Sequence, residues 1–168
     1  MSNGLRYASV HHMPEHMRTR AMCALSTQDP RMPEQAKKPR GDSEHEEQVA
    51  FFNLIRSLAL LDKRYALAVS RTFAIPNGGG RSKREAGRLK AEGVRPGVSD
   101  IETSLPADGY HGLFIEMKSL TGSASREQKD WVMESLKLGY MAVVCRGARE
   151  AYTVWTNYVD ATFWEPKP

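Results

Sequence analysis

Cysteine is scarce. Cys23 and Cys145 are the only two in 168 residues, and their spacing fits neither a disulfide framework nor a zinc site. Cys145 closes the apolar run Met141-Ala142-Val143-Val144, where a buried free thiol is the ordinary state, so a reducing interior is expected. No run of eighteen apolar residues occurs, which argues against an ordinary membrane-spanning helix. The N-terminus also lacks the apolar centre of a secretory signal, and a cytoplasmic protein is expected. No internal repeat is found. Gly78-Gly79-Gly80 is not followed by Gly-Lys-Ser/Thr at the required spacing, so it is no P-loop.

What is present suffices for one domain with a proper core, since 40% of the residues are apolar. The net charge is +4, yet the segment from Arg71 to Arg95 holds seven basic residues against two acids, a local balance of +5. The excess charge is thus concentrated in one stretch, which permits a polyanionic partner. Residues 1–41 carry His, Met, Pro, Arg and Lys without helical or strand periodicity and read as a poorly ordered leader. His11, His12, His16 and Cys23 fall within it at no familiar ligand spacing.

The first regular element is expected at Ser43. Ser43-Glu44-His45-Glu46 has the form of a capping box, and Phe51, Leu54, Ile55, Leu58 and Leu61 then recur at helical spacing. Acids near this helix start suit its positive end, or one of them points at a functional site. Leu67, Val69, Phe73 and Ile75 alternate at period two, which predicts a strand from Tyr65 to Ile75. The glycines after Pro76 serve a tight turn or an anion. Ser82 to Glu92 reads as a helix stopped by Gly93, with Arg81, Arg84 and Arg88 on one face and Lys83 and Lys90 widening it. That face is either solvated or grips a nucleic-acid backbone. Further on, Ser125 caps a helix that ends at Gly139, Tyr140 to Cys145 is a buried strand, and a last helix runs from about Ala148 to Val159.

The chemistry concentrates between these elements. In Gly112-Leu113-Phe114-Ile115-Glu116-Met117-Lys118, strand alternation puts Leu113, Ile115 and Met117 on one face and Phe114, Glu116 and Lys118 on the other. Val98-Ser99-Asp100-Ile101-Glu102 reads as a second short strand, and Pro106-Ala107-Asp108-Gly109 has the residues of a hairpin turn. Folding that hairpin can bring Asp100 beside Glu116, so that two carboxylates and a lysine surround one point; the alternative is that Glu116 and Lys118 are solvated residues of an edge strand and Asp100 a turn residue. Such a set suits a hard divalent cation, which takes one or two carboxylates plus a substrate phosphate, and phosphodiester hydrolysis is the reaction it fits. Gln128, on the first turn of the next helix, is either an exposed polar residue or one that orients water or phosphate.

Four stretches together resemble a known family: Asn77-Gly78-Gly79-Gly80-Arg81, Leu89 to Asp100, Gly112 to Lys118, and Ser125-Arg126-Glu127-Gln128-Lys129-Asp130-Trp131, with Gly139-Tyr140 beside them. With their order of elements, they resemble the VRR-NUC family of the PD-(D/E)xK nuclease superfamily, in particular its small stand-alone phage and bacterial members. The resemblance covers Ser43 to about Tyr158. It implies an α/β fold of the restriction-endonuclease-like type, a central mixed sheet of about four strands flanked by helices. Residues 42–160 would form the nuclease domain and 161–168 a C-terminal tail.

The same resemblance implies a Mg2+- or Mn2+-dependent endodeoxyribonuclease. Asp100 and Glu116 would be metal ligands, together with the Met117 carbonyl, and Lys118 the catalytic lysine. Gln128 carries over as the glutamine of the following helix and Glu44 as the first-helix acid, with Glu47 the alternative. Asn77, Arg81, Arg84, Arg88 and Lys90 would contact nucleic acid. The family usually has proline before its aspartate, where Ser99 stands here; proline supplies only backbone stiffness, so activity is expected to survive its absence. Small relatives are similar to Holliday-junction resolvases and tend to be homodimers, so a homodimer cutting branched DNA in a bacterial or phage-infected cell is the leading expectation. The alternatives are a non-catalytic DNA-binding module with the same fold and a nuclease of other specificity, for flaps, restriction sites or RNA.

Overall fold

The computed structural model describes residues 43–76 and 83–163. Helix α1 spans Glu44–Leu61 and starts at Ser43, whose hydroxyl accepts the Glu46 N–H at 3.2 Å. The reciprocal arm of a capping box does not form there. Glu46 instead turns its Oε2 to a buried position without a hydrogen-bond partner among the described residues. Phe51, Leu54, Ile55 and Leu58 make the buried stripe. Leu61, expected on it, is 73% exposed, because the helix ends there and the chain turns away at Asp62.

The segment read as a long strand is mostly helical. A 3-10 turn covers Lys63–Tyr65, helix α2 covers Ala66–Ser70, and strand β1 is confined to Thr72–Ala74. Burial explains the outcome. Tyr65, Ala68 and Thr72 are buried at spacings of three and four, whereas Leu67, one of the four residues of the alternating pattern, is 58% exposed. The Tyr65 hydroxyl donates to Asp160, and Thr72 Oγ1 accepts from Trp155 Nε1 at 2.9 Å, so long-range partners select the helical phase.

Helix α3, Lys83–Ala91, follows, and the left-handed Gly93 (φ 95°) ends it. Strands β2 (Ile101–Thr103), β3 (Leu113–Lys118) and β4 (Met141–Arg146) complete one sheet with β1, in the order β1-β2-β3-β4. The first three are antiparallel and β4 lies parallel to β3, so the sheet is mixed. The β2–β3 connection is closed by an Ala107–Tyr110 bridge around Asp108 (φ 51°) and Gly109 (φ 79°), the Asp-Gly chemistry of a tight hairpin turn. Helices α4 (Arg126–Lys137) and α5 (Gly147–Phe163) flank the last strand, and α5 continues three residues beyond the domain end expected at residue 160.

The two faces of the sheet are covered differently. α1 and α5 pack on the face bearing Ile101, Leu113, Ile115 and Met117, with Trp155, Tyr152 and Tyr158 fully buried among them. On the other face α4 covers a smaller cluster of Phe114, Val132 and Ala142. Cys145 is a buried free thiol on the strand beside Met117, and burial pushes its pKa well up, which leaves it an inert core residue. No helix among the described residues is long and apolar enough to cross a membrane.

Candidate active site

All six residues of β3 are buried, so the charged pair Glu116 and Lys118 sits inside the protein, on the α4 face. Glu116 is fully buried. Its Oε1 accepts from Lys118 Nζ at 2.8 Å and from Gln128 Nε2. Its Oε2 is buried without a hydrogen-bond partner among the described residues. Lys118 Nζ also lies 3.3 Å from Glu44 Oε1, which reaches it from the first turn of α1. Asp100 stands at the entrance to β2, and its Oδ2 accepts the Met117 N–H at 2.9 Å. A residue of an extended strand directs its N–H and C=O to the same side, so the Met117 carbonyl also points toward Asp100. Ser99, in the place where the resembled family usually has proline, is fully buried beside it.

Gln128 has two jobs. Ser125 and Gln128 form a complete capping box at the start of α4: Gln128 Oε1 accepts the Ser125 N–H at 2.8 Å, and the Ser125 hydroxyl accepts the Gln128 N–H at 3.3 Å. With its oxygen held there, the amide nitrogen is left facing Glu116. The helix cap thereby orients a buried carboxylate.

The electrostatics are those of charges short of a counter-ion. Burial, reinforced by the Asp100 charge, raises the Glu116 pKa to about 8 despite Lys118. Asp100 is also raised by burial, against the Met117 amide and Lys118, which pull it down. Burial alone would lower Lys118, but Glu116 and then Glu44 outweigh it and hold the ammonium charged. Two neighbouring carboxylates that resist ionising together, one with an unused buried oxygen, fit a divalent cation. Among the described residues no group of three or more His, Cys, Asp or Glu forms a metal cage. A cation here would therefore complete its shell with backbone oxygen, water or substrate phosphate, as magnesium does.

The structure thus brings Asp100, Glu116, Lys118, Gln128 and Glu44 to one place. Glu47 it sends elsewhere: Glu47 is buried, and its Oε2 accepts the Ala148 N–H at 2.6 Å, at the positive end of α5. That approach requires Gly147 (φ 78°), where an added Cβ would stand 2.8 Å from Leu120 Cδ2 and 3.2 Å from Glu47 Oε2. Of the expected nucleic-acid contacts, Arg88 and Lys90 are exposed on α3, Arg88 Nε lying 3.4 Å from Glu92 Oε1. Asn77 and Arg81 lie outside the described residues, and so does the side chain of Arg84.

One cation went unread in the sequence. Arg146 ends β4 in register with Lys118, is exposed, and donates from Nε to the Gly122 carbonyl at 3.2 Å. Parallel neighbours in register share a sheet face, so Arg146 adds a surface charge beside the buried lysine. Its only sequence signal is its place at the end of a strand, and the register that makes it matter is a long-range fact.

With this geometry in view, comparison with known proteins narrows the fold. The chain is similar to a solved structure, a VRR_NUC domain protein. Sequence identity is 27%, the TM-score is 0.58, and the match covers 73% of this chain and 92% of that one. No protein-family model matches the chain, and no curated protein does. The mixed four-stranded sheet with flanking helices is thus a VRR_NUC-like nuclease fold, which agrees with the resemblance read in the sequence.

Proposed function

We propose that this protein is a Mg2+- or Mn2+-dependent DNA endonuclease of the PD-(D/E)xK type, acting as a homodimer on branched DNA such as a four-way junction. The observation that carries the reading is half-buried Asp100 next to fully buried Glu116 and buried Lys118, with Glu116 Oε2 left without a hydrogen-bond partner among the described residues. Asp100, Glu116 and the Met117 carbonyl would hold the ion. The chemistry a bound divalent ion supplies there is polarisation of the scissile phosphodiester and activation of a water molecule.

The chain's own residues do the rest. Lys118, kept protonated between Glu116 and Glu44, offers hydrogen-bond donors and a positive charge where negative charge develops on the phosphoryl oxygens. Gln128 fixes Glu116 in one orientation, so its carboxylate is preorganised. Exposed Arg88, Lys90 and Arg146 supply sequence-independent attraction to the phosphate backbone. The branched substrate and the dimer rest on the resemblance to small resolvase-like relatives, in which two active sites serve two strands.

The test is cleavage of labelled linear duplex, flap, fork and four-way junction by wild type and Lys118→Ala, each with Mg2+, Mn2+ or EDTA. Metal-dependent cutting of the junction, reduced at least about a hundredfold in Lys118→Ala, is expected. Cutting of flaps or linear DNA alone changes the substrate and keeps the chemistry. Binding without cutting under either metal returns the protein to a non-catalytic module.

A further inference from the structure

Behind the carboxylates, on the same face of the sheet, lies a pair of side chains that the proposed hydrolysis does not use. The Ile75 N–H donates to the Asp100 carbonyl at 2.7 Å, which ties the end of β1 to the site. Two residues back, Phe73 is paired with Glu102, and Glu102 in turn with Phe114. Phe114 belongs to the cluster under α4, and Ile75 packs against that cluster, so Phe73 and Glu102 share the face that carries Glu116 and Lys118. They form the next row of that face, roughly 7 Å along the strands from Asp100 and Glu116.

Both residues are anomalous for their place. Phe73 leaves 46% of its surface exposed although it stands on a three-residue strand beside a packed face. Among the described residues no hydrogen bond or ion pair engages the Glu102 carboxylate. A carboxylate is unsuited to meet a phosphate backbone, which it repels. It does suit a base edge, because the amino groups of cytosine and adenine are donors that a carboxylate accepts. An exposed aromatic ring stacks on a base of any kind, provided the base has been freed from its neighbours.

We propose that Phe73 and Glu102 form a subsite for one unpaired, amino-bearing nucleobase of the substrate strand, next to the scissile phosphate. The proposal rests on the nuclease reading above and gives it a substrate preference. In continuous duplex both faces of each base are covered by stacking, so Phe73 has no face to stack on and the two contacts cannot form together. At a branch, nick or mismatch a base is released and both contacts form. Selection of interrupted DNA then comes from the sheet surface of each protomer, in addition to any geometry imposed by a dimer.

The test uses forked DNAs in which each nucleotide within a few positions of the branch is made abasic in turn, cut by wild type, Phe73→Ala, Phe73→Tyr and Glu102→Met. One position is expected at which loss of the base slows wild-type cleavage about tenfold. Phe73→Ala should slow cleavage of the intact fork by the same factor, with no further loss on the abasic DNA. Phe73→Tyr should restore it, and Glu102→Met, which keeps the length of the side chain and removes the acceptor, should abolish any preference for cytosine or adenine there. Equal cutting of intact and abasic forks by wild type, or an equal loss by Phe73→Ala on fork and continuous duplex, overturns the subsite. So does a change of sedimentation in Phe73→Ala, which would assign the face to a second copy of the chain. If wild type cuts nothing, the nuclease reading fails, and binding in a Lys118→Ala background to forks carrying fluorescent aminopurine reads the subsite alone. A signal change at one position that Phe73→Ala removes supports it, and none at any position overturns it.

Discussion

On one side of the sheet β3 presents Leu113, Ile115 and Met117 to α1 and α5; on the other the same strand presents Phe114, Glu116 and Lys118 toward α4. The first side is closed by Trp155, Tyr152, Tyr158, Phe51 and Ile55, all fully buried. The second has a small apolar cluster at one end and an ion-paired group of titratable side chains at the other. Burying charges is costly, and a carboxylate left short of partners more so. The two faces divide the labour. The large apolar face supplies the burial that stabilises the fold, so that the thin face can hold charges in a state that favours a ligand over the free protein.

Breaking the stabilising side gives the largest effect. Trp155→Ala should cost about 3–5 kcal/mol, read by urea denaturation, because it empties the space of a large, fully buried side chain and removes the bond to Thr72. The fraction that remains folded should keep its cleavage rate. A folded fraction that has lost cleavage would show that the two sides are not separable.

The charged side is sharpened by Glu116→Gln, which should lower cleavage at least about a hundredfold. Its effect on stability is of the opposite kind. In metal-free protein Glu116 keeps its proton to about pH 8, whereas an ordinary glutamate releases it near 4.5. Over that interval the native state binds the extra proton, so the contribution of this group to stability is greatest below about pH 4.5 and is lost as pH rises toward about 8. Thermal unfolding in EDTA should show that decline in wild type and a flatter profile in Glu116→Gln, and Mg2+ should flatten the wild-type profile. Identical profiles for the two proteins would place the titration elsewhere.

The smallest effect is expected on the exposed rim. Arg88→Ala should leave stability unchanged and lower the salt dependence of DNA binding by about one unit of slope, since Arg88 stands in solvent beside Glu92. An unchanged slope would return α3 to a solvated helix.

Much of this comparison was legible in the sequence, because the signals are local. The period-two pattern of Gly112 to Lys118, the Asp-Gly turn and the Ser125 cap each fixed an element within a residue or two. Local signals also misled. Alternation in Leu67, Val69 and Phe73 suggested a strand, yet Tyr65 and Thr72 are both held by α5, and the chain between them is helical up to Ser70. The first-helix acids could not be ranked, since Glu44 and Glu47 both suit a helix start. Their difference lies in what meets them: the lysine of β3 for one, and an amide 101 residues away for the other. A pattern within one element cannot report what another element brings to it.

A side-chain amide has two chemically different ends that nearly match in shape, and in many proteins it can turn over without penalty. At Gln128 the turn is blocked, because flipping it would set N–H against the Ser125 N–H and oxygen against the Glu116 carboxylate, two repulsions at once. Handedness of this kind is invisible to shape and volume. Glutamate at 128 would match the cap and fail the carboxylate, and methionine would fill the space and satisfy neither. The residue that ends a loop therefore also works as a one-way key, and the first turn of α4 cannot fray without releasing the carboxylate it holds in place.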